Sequence, residues 1–245
     1  MDALRSRLAD LGRWLLPARC LLCGAAGHDD LDLCRDCAAE LPRNRVCCAR
    51  CALPLALPAA LCGRCQRRAP PWDGAWAPFR YGWPVDRLES RFKFGGDLAA
   101  GRSLAALWLR ESRPVSLPDL ILPVPLHRVR LRQRGHNQAL ELARPLARAL
   151  GLPLRHDLLL RPRATAPQSE LDAVARRRNV RGAFALHPDA EPPAHVAIVD
   201  DVMTTGSTLA ECARLLRKAG ASRIDVWVLA RAPATGGSRS ARAAN

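Results

Sequence analysis

Eight of the nine cysteines in the first 65 residues constrain the fold of this chain more than any other feature. They form pairs with two intervening residues, two pairs are separated by ten residues, and the whole arrangement recurs 28 residues later. The two sets are Cys20, Cys23, Cys34, Cys37 and Cys48, Cys51, Cys62, Cys65. Two C-x2-C pairs complete a tetrahedral S4 site, which suits structural zinc; an iron–sulfur cluster and unligated thiols or disulfides are the less favoured alternatives. The repeat therefore predicts a small zinc-binding module, which we place at residues 17–70 as a double zinc ribbon.

Two questions about the cysteines stay open at this point. Ligation can be sequential, with each set of four holding one Zn²⁺, or cross-braced, with alternate pairs sharing an ion. Cys47 adjoins a predicted ligand out of register and is expected to be a spare thiol. Cys212 falls at an apolar position of a predicted helix, where a cysteine packs as a small hydrophobic side chain. Because closed S4 sites offer no open coordination position, we predict a structural role for both ions.

The positive charge of the chain is concentrated in one segment. The 245 residues carry a formal net charge of +15 and are 49% hydrophobic, which excludes an acidic disordered protein and a collagen-like chain. Residues 113–181 hold 14 basic and 5 acidic side chains, a net charge of +9. This concentration indicates a phosphate-rich partner, either a nucleotide or a nucleic acid, although a solvated basic surface has the same composition.

The two ends of the chain carry weaker signals. Leucines at helical spacing predict a short amphipathic helix over residues 1–16, and its charged residues argue against a signal peptide. Residues 232–245, rich in Gly, Ser, Ala and Arg, are predicted to be a disordered tail. No apolar run is long enough for a membrane span, so we expect a cytoplasmic protein. In that reducing location, cysteine pairs favour metal over disulfides.

Seven of the eleven aromatic residues lie between Trp72 and Phe94, just after a proline-containing segment, 66–78, that is predicted to be a linker. Aromatic side chains beside basic ones can stack nucleic-acid bases. They can equally pack the zinc module onto the next domain or line its first strands. We favour the packing interpretation.

From residue 113 onward, strands and helices alternate. Short apolar runs predict strands at 119–124, 195–199 and 224–230, and helical periodicity predicts helices at 98–109, 137–150 and 207–219. This order is typical of an α/β fold with a parallel sheet, helices on both faces and ligands at the carboxyl ends of the strands. We assign residues 75–231 to this domain.

One of these strands ends in two carboxylates and a loop of small residues. Asp200 and Asp201 are followed by residues 204–208, with the sequence Thr-Thr-Gly-Ser-Thr, at the start of a predicted helix. Backbone amides and the dipole at a helix start bind phosphate, and Gly206 permits close approach of the backbone. Paired carboxylates can accept hydrogen bonds from sugar hydroxyls or hold Mg²⁺. An ordinary capped turn would explain the hydroxyls but not the aspartates, and neither a Walker A loop nor a dinucleotide fingerprint is present.

This segment resembles the phosphoribosyl-pyrophosphate (PRPP) motif of type I phosphoribosyltransferases. The resemblance implies that Asp200 and Asp201 contact the ribose hydroxyls and that Mg²⁺ accompanies PRPP. It also implies that five loop residues hold the 5′-phosphate: Thr204, Thr205, Gly206, Ser207 and Thr208. The fold implied is the parallel sheet of that family, preceded here by the cysteine-rich module.

Further segments narrow the resemblance to the ComF family of competence proteins, over residues 14–231. They are the cysteine pairs, Lys93-Phe-Gly-Gly-Asp97, Pro123-Val-Pro-Leu-His127, Arg134-Gly-His-Asn-Gln138, Gln168, Arg178-Asn179 and Phe184. His136 stands where we expect an aromatic residue, which is a minor departure. The resemblance implies a role in natural transformation, DNA uptake or the use of external DNA, with DNA-uptake proteins as partners. The residue pattern itself does not show that role.

Two basic segments are candidates for binding pyrophosphate or for closing over the ligand. His127, Arg128, Arg130 and Arg134 follow the end of the predicted strand, where this fold places its pyrophosphate loop, and arginine suits bidentate phosphate contacts. Arg176 and Asn179 lie in residues 161–181, near the place where phosphoribosyltransferases carry a flexible lid that excludes water. Either segment can instead bind the backbone of single-stranded DNA.

Two functional hypotheses follow. In the first, the protein is a Mg²⁺-dependent phosphoribosyltransferase, in which a nucleophile displaces pyrophosphate at the ribose C1 through an oxocarbenium-like transition state. In the second, it is a non-enzymatic adaptor that binds PRPP or a nucleotide together with single-stranded DNA and uses the zinc module as a platform. The sequence identifies no catalytic residue and no residue specific for an acceptor.

Overall fold

A parallel five-stranded sheet forms the centre of the chain, whose computed structural model describes residues 18–29, 31–165 and 173–233. The strands are β1 (Gly74–Trp76), β2 (Phe79–Arg80), β3 (Leu120–Pro123), β4 (Leu159–Leu160), β5 (Ala185–Leu186), β6 (His195–Met203) and β7 (Arg223–Arg231). The main sheet has the order β1-β7-β6-β3, β2 also pairs with β7, and all these pairings are parallel. β4 and β5 form a separate antiparallel pair. The predicted parallel sheet is confirmed.

Eight helices of the described residues accompany these strands. They are α1 (Arg35–Ala39), α2 (Gly63–Arg67), α3 (Val85–Phe94), α4 (Leu98–Arg110), α5 (Arg128–Arg134), α6 (Gln138–Leu150), α7 (Ala173–Val180) and α8 (Ser207–Lys218). Within the described ranges, no helix is long and apolar enough to cross a membrane. The predicted helix over residues 1–16 and residues 234–245 of the predicted tail lie outside the described residues.

The sheet is covered by helices on both faces, as predicted. Alternate residues of β6 and β7 point to opposite faces, which is the pleat of any strand. Val196, Ile198, Val226 and Val228 join one apolar core with the buried side of α8, including Cys212, which is fully buried as expected. The other face joins α3, α4 and α6 in a second core, where the residues of the sheet are Ala197, Val199, Trp227 and Leu229.

The cysteine-rich module is built into this architecture at the edge of the sheet. Arg43 bridges Phe79 in antiparallel fashion, and the Asn44 amide donates to the Pro78 carbonyl oxygen over 2.7 Å. The buried Asn44 side chain donates to the carbonyl oxygens of Ala52 and Ala77. The prediction of a linker over residues 66–78 is wrong for its last part, because β1 is a strand of the main sheet paired with β7.

The two halves of the cysteine-rich module pack on opposite faces of the sheet. Cys20 and Cys34 belong to the core that contains α3, α4 and α6. All four cysteines of the second set belong to the core that contains α8. The module therefore contributes to both apolar cores, and each cysteine set is anchored to a different one.

The aromatic cluster between Trp72 and Phe94 mostly packs inside the protein. Trp72, Phe79 and Phe92 are buried, and the Trp76 ring lies 5.3 Å from the Trp227 ring in an edge-on arrangement. The three buried rings have no face free for a base. Trp83 and Phe94 differ, since they are 58% and 69% exposed. The packing interpretation is confirmed for the buried members of the cluster.

Candidate functional site

The cysteines form two compact clusters, Cys20, Cys23, Cys34, Cys37 and Cys48, Cys51, Cys62, Cys65. Within each cluster, the sulfur atoms all lie within 4.8 Å of one another. The grouping is sequential, so the cross-braced alternative is wrong, and Cys47 belongs to neither cluster. Four thiolates that converge in this way fit a tetrahedral Zn²⁺ ion and leave no open position, which supports structural zinc.

The backbone lowers the pKa of one cysteine in each cluster. Burial alone would raise the pKa of Cys20, but hydrogen bonds from backbone amides, that of Cys34 first among them, lower it to about 6. The same competition, with the Cys62 amide contributing most, lowers the pKa of Cys48 to about 7. A thiolate is the form that ligates metal, so each cluster holds one cysteine that is readily deprotonated near neutral pH.

The second candidate site lies at the carboxyl end of β6. Asp200 and Asp201 occupy this strand, and the chain then turns through residues 204–206 into α8. Gly206 caps α8 with a left-handed conformation, φ +74°. A Cβ atom at this position would lie 2.8 Å from the Trp72 ring, so the loop sits directly on a tryptophan that follows the zinc module. The hydroxyls of Thr205 and Ser207 lie 2.8 Å apart and hold the loop together.

An open cavity of about 850 Å³ brings the predicted residues together. Both aspartates and all of residues 204–208 line it. Arg130 and Arg134, two of the predicted pyrophosphate residues, line it as well. The volume falls in the range of pockets that bind small molecules. One cavity thus combines carboxylates, a loop at a helix start and guanidinium groups.

Lys93, which was not among the predicted site residues, joins this cavity from α3. Its Nζ lies 2.9 Å from Oδ2 of Asp201 and 3.0 Å from Oε1 of Glu89. Burial alone would lower the pKa of Lys93, but the two carboxylates raise it. The ammonium group is therefore held in its charged form between a helix and the end of β6.

The three carboxyl groups near Lys93 differ in acidity. Burial and then the charge of Asp201 raise the pKa of Asp200 well above its ordinary value. Burial would do the same for Asp201, but the ion pair with Lys93 outweighs it and lowers the pKa. Burial, followed by repulsion from Asp201, raises the pKa of Glu89 to about 7. The site thus holds one firmly ionised carboxylate beside two groups that retain protons more easily, as interacting carboxyls do.

Aromatic and basic side chains complete the cavity. Tyr81 lines it, and burial and Glu89 raise its pKa to about 12. Phe94 also lines it, with the Arg134 guanidinium 5.4 Å from the centre of its ring. Arg161 is 8% exposed, donates to the Thr165 hydroxyl over 2.6 Å and lies 5.0 Å from the centre of the Phe184 ring. Such cation–π contacts orient the guanidinium groups at the cavity.

The remaining predicted residues lie elsewhere. The residues that line the cavity include neither His127 nor Arg128. The His127 ring instead accepts a hydrogen bond from the Val129 amide and caps α5. Asn179 lies on α7, where its carbonyl oxygen accepts a hydrogen bond from Arg163. The side chain of Arg176 lies outside the described residues.

Lys93, Glu89, Tyr81 and Arg161 were missing from the predicted site, although all four line the cavity. Lys93 offered a signal, since only two lysines stand among 38 basic residues and one of them is in the segment quoted for the family resemblance. Glu89 and Arg161 gave none, because their place depends on how α3 and residue 161 fold back onto β6.

Two family models match the chain, the double zinc ribbon domain over residues 11–74 and the phosphoribosyl transferase domain over residues 136–244. DNA utilization protein YhgH of Salmonella typhimurium is 39% identical over 225 residues, which cover 88% of this chain and 98% of the relative. Competence protein F of Haemophilus influenzae is 37% identical over 223 residues, which cover 87% and 97%. The chain belongs to the ComF family. Competence protein ComFC of Streptococcus pneumoniae is a more distant relative, 27% identical over 232 residues, with 87% and 100% covered.

A solved structure is similar to part of this ComF-family chain. It is the glutamine PRPP amidotransferase from B. subtilis in complex with ADP and GMP, with a TM-score of 0.34 and 22% sequence identity. The similarity covers 52% of this chain and 24% of that enzyme, so the chain spans about a quarter of its length.

Proposed function

We propose that this protein binds PRPP together with Mg²⁺ in the cavity at the end of β6, and that it acts in the uptake or use of DNA. One observation carries the first part: Asp200, Asp201 and the loop 204–208 share a cavity with Arg130 and Arg134. Carboxylates accept hydrogen bonds from sugar hydroxyls, a helix start binds phosphate, and guanidinium groups bind pyrophosphate. PRPP carries these three groups on one small molecule.

Each end of the ligand has its own binding residues in this proposal. The 5′-phosphate takes the amides and hydroxyls of residues 204–208, and the ribose hydroxyls take Asp200 and Asp201. The pyrophosphate takes Arg130 and Arg134. Mg²⁺ is usually held by one or two carboxylates and by phosphate oxygens, and the carboxylates at the end of β6 fit that donor set. Because Lys93 already pairs with Asp201, Asp200 is the better candidate for the ion, and it would lose its proton when Mg²⁺ binds.

The part in DNA use is supported by the family and by charge. The relatives in Salmonella typhimurium and Haemophilus influenzae are named for DNA utilization and for competence. Residues 113–181, with their net charge of +9, extend from β3 through the cavity's arginines to α7. A basic surface of this kind suits a phosphate backbone.

A second candidate function, a non-enzymatic adaptor for single-stranded DNA, is favoured by the two sides of α5. Arg130 and Arg134 line the cavity, whereas Arg128 and Arg132 are exposed and lie outside its lining. No residue of α5 is buried. The exposed arginines are thus available to a nucleic acid while the other pair serves the cavity.

Calorimetry with PRPP and Mg²⁺ tests the ligand. The wild-type protein should release heat, and the double substitution Asp200→Asn with Asp201→Asn should abolish it. Asp189→Asn is the matched control, since that carboxylate is 91% exposed on the surface. No heat from the intact protein, or equal heat from the double variant, would refute PRPP binding.

Two further measurements separate enzyme from adaptor. Release of pyrophosphate from PRPP in the presence of a nucleophile supports transfer, and its absence over a panel of nucleobases and amines favours the adaptor. For DNA, Arg128→Gln with Arg132→Gln should weaken single-strand binding and flatten the slope of log K against log salt by about 1.4. Arg214→Gln, an exposed arginine of α8, is the control. A DNA-binding constant that does not change with salt concentration would argue against a role for the basic surface.

A further inference from the structure

The second cysteine cluster is bonded to the α/β domain through the backbone of its first pair. The Ala49 carbonyl oxygen accepts from the Ala75 amide over 3.1 Å. The Arg50 carbonyl oxygen accepts from Nε1 of Trp72 over 2.7 Å. The Cys51 carbonyl oxygen accepts from Nε of Arg231 over 3.0 Å. Three consecutive carbonyl groups therefore face the domain, and one of them belongs to a metal ligand.

Two of the three donors, Arg231 and Trp72, also contact the loop at the end of β6. Arg231, 4% exposed, donates to the carbonyl oxygens of Met203 over 2.9 Å and Thr204 over 2.7 Å. Trp72, 3% exposed, lies beneath Gly206, so that even a Cβ atom there would overlap its ring. One guanidinium group and one indole ring thus connect the cysteine pair to both sides of the loop.

The charge balance also depends on the cluster. Arg231 is a buried cation, and among the described residues none of its contacts is an ion pair with a carboxylate. Buried charges need a partner. Four thiolates around one Zn²⁺ carry a net charge of −2, and Cys51 presents its carbonyl oxygen to Arg231. When loaded with Zn²⁺, the cluster would supply negative charge next to this arginine.

The first cluster is also bonded to the α/β domain, but among the described residues no hydrogen bond connects it to the loop 203–208. Arg91 on α3 donates to the Leu21 carbonyl oxygen over 2.6 Å, and Arg110 on α4 donates to the Asp29 carboxylate. Both helices lie on the opposite face of the sheet from α8. The two clusters therefore differ in the part of the α/β domain that they contact.

We propose that zinc in the cluster of Cys48, Cys51, Cys62 and Cys65 positions the loop 203–208, with Arg231 and Trp72 as the positioning residues. Zinc in the other cluster does not act on this loop. The conformational part of the proposal stands on its own contacts. Its consequence for PRPP affinity rests on the proposed function.

Hydrogen–deuterium exchange of residues 203–212 in the ligand-free protein tests the conformational part. Cys62→Ser and Cys37→Ser should each lower the zinc content from two ions per chain to one. We expect Cys62→Ser to speed exchange of this segment about tenfold or more, and Cys37→Ser to change it less than twofold. Exchange of the buried β6 residues 196–199 should stay slow in both variants, which separates a local effect from unfolding.

A second pair of variants keeps the test decisive if Cys62→Ser does not fold. Arg231→Met and Trp72→Phe should retain both zinc ions and still speed exchange of residues 203–212. Arg223→Met, at the other end of β7, is the control and should leave exchange unchanged. Equal effects of Cys62→Ser and Cys37→Ser, or unchanged exchange in both Arg231→Met and Trp72→Phe, would overturn the proposal. Because no ligand is present, these results do not depend on whether PRPP binds.

Calorimetry then measures the consequence for the ligand. If PRPP binds, Arg231→Met should weaken its affinity about tenfold, and Arg223→Met should not. Faster loop exchange with an unchanged affinity would refute this consequence while leaving the contact between zinc cluster and loop intact.

Discussion

Lys93 on α3 reaches the end of β6, where its Nζ lies 2.9 Å from Oδ2 of Asp201. This ion pair fastens a helix of one face to the strand that carries the candidate ribose site. It also lowers the pKa of Asp201, whereas burial and the charge of Asp201 raise the pKa of Asp200. The site is therefore asymmetric before any ligand enters it.

Replacing Lys93 should destabilise the protein markedly. Lys93→Met leaves the carboxylates of Asp201 and Glu89 buried without their cation, and we expect a loss of about 2 kcal/mol in the free energy of unfolding, less than for a fully buried pair because a quarter of the lysine side chain is exposed. Denaturant titration measures it. Lys218→Met removes the only other lysine, which is exposed on α8, and should change stability by less than about 0.5 kcal/mol. Equal losses in the two variants would contradict the role of the ion pair.

Glu89 should make stability depend on pH. Its folded pKa of about 7 lies above the ordinary value of a glutamate, so between about pH 4.5 and 7 the folded protein binds more protons than the unfolded chain. Stability contributed by this group is therefore present at low pH and is lost as pH rises through that window.

The measurement is the difference in unfolding free energy between the wild type and Glu89→Gln at pH 5 and pH 8. We expect the wild type to lose on the order of 1–3 kcal/mol relative to the variant over this interval. Comparing the two proteins cancels the pH dependence of the zinc sites. Glu141→Gln, which removes a surface pair with Arg144, should show no such trend. A wild-type curve parallel to that of Glu89→Gln would contradict the raised pKa.

Gly206 should tolerate no side chain. Alanine there would adopt φ +74° and would also meet the Trp72 ring at 2.8 Å. Gly135 has a similar φ of +76° with open space around it, so Gly135→Ala measures the backbone strain alone, about 1 kcal/mol. We expect Gly206→Ala to lower the free energy of unfolding by about 1–2 kcal/mol more than Gly135→Ala does, which is the usual cost of overpacking. Similar melting temperatures for the two variants would show that the Trp72 ring moves aside and accommodates the added methyl group.

Removal of zinc should disrupt both faces of the sheet. Each cluster belongs to a different apolar core, so a chelator should abolish the cooperative thermal transition rather than release one small module. Metal analysis of the purified protein should give about two zinc ions per chain. Fewer than about one would exclude the zinc interpretation, and an unchanged transition after full chelation would show that the cores hold without metal.

Local patterns predicted the elements of this fold well. The predicted strand at 195–199 and helix at 207–219 correspond to β6 and α8, although β6 continues to Met203 and carries both aspartates within it. Helical periodicity, glycine at helix ends and the cysteine spacing are short-range signals, because each depends on residues that lie close together in the sequence. The residues of the loop 204–208 were found for the same reason.

Long-range contacts could not be predicted in this way. The hydrogen bond between Arg231 and Cys51 joins residues 180 positions apart, and no periodicity records it. The same holds for Lys93 and Asp201, and for the division of the cysteine-rich module between two cores. The predicted linker was misjudged because β1 has only three residues, too few to show an alternating pattern, and is held by its pairing with β7.

The position of β7 in the sheet constrains the order in which the strands can pair as the chain is made. β7 is the last strand of the described residues, yet it lies between β1 and β6 and pairs with both, and with β2. β1 and β2, the first strands to be made, therefore have no strand to pair with until β7 has been made, whereas β3 can pair with β6 before that. The cysteine clusters are complete by residue 65, so they can load metal before the sheet has all its strands.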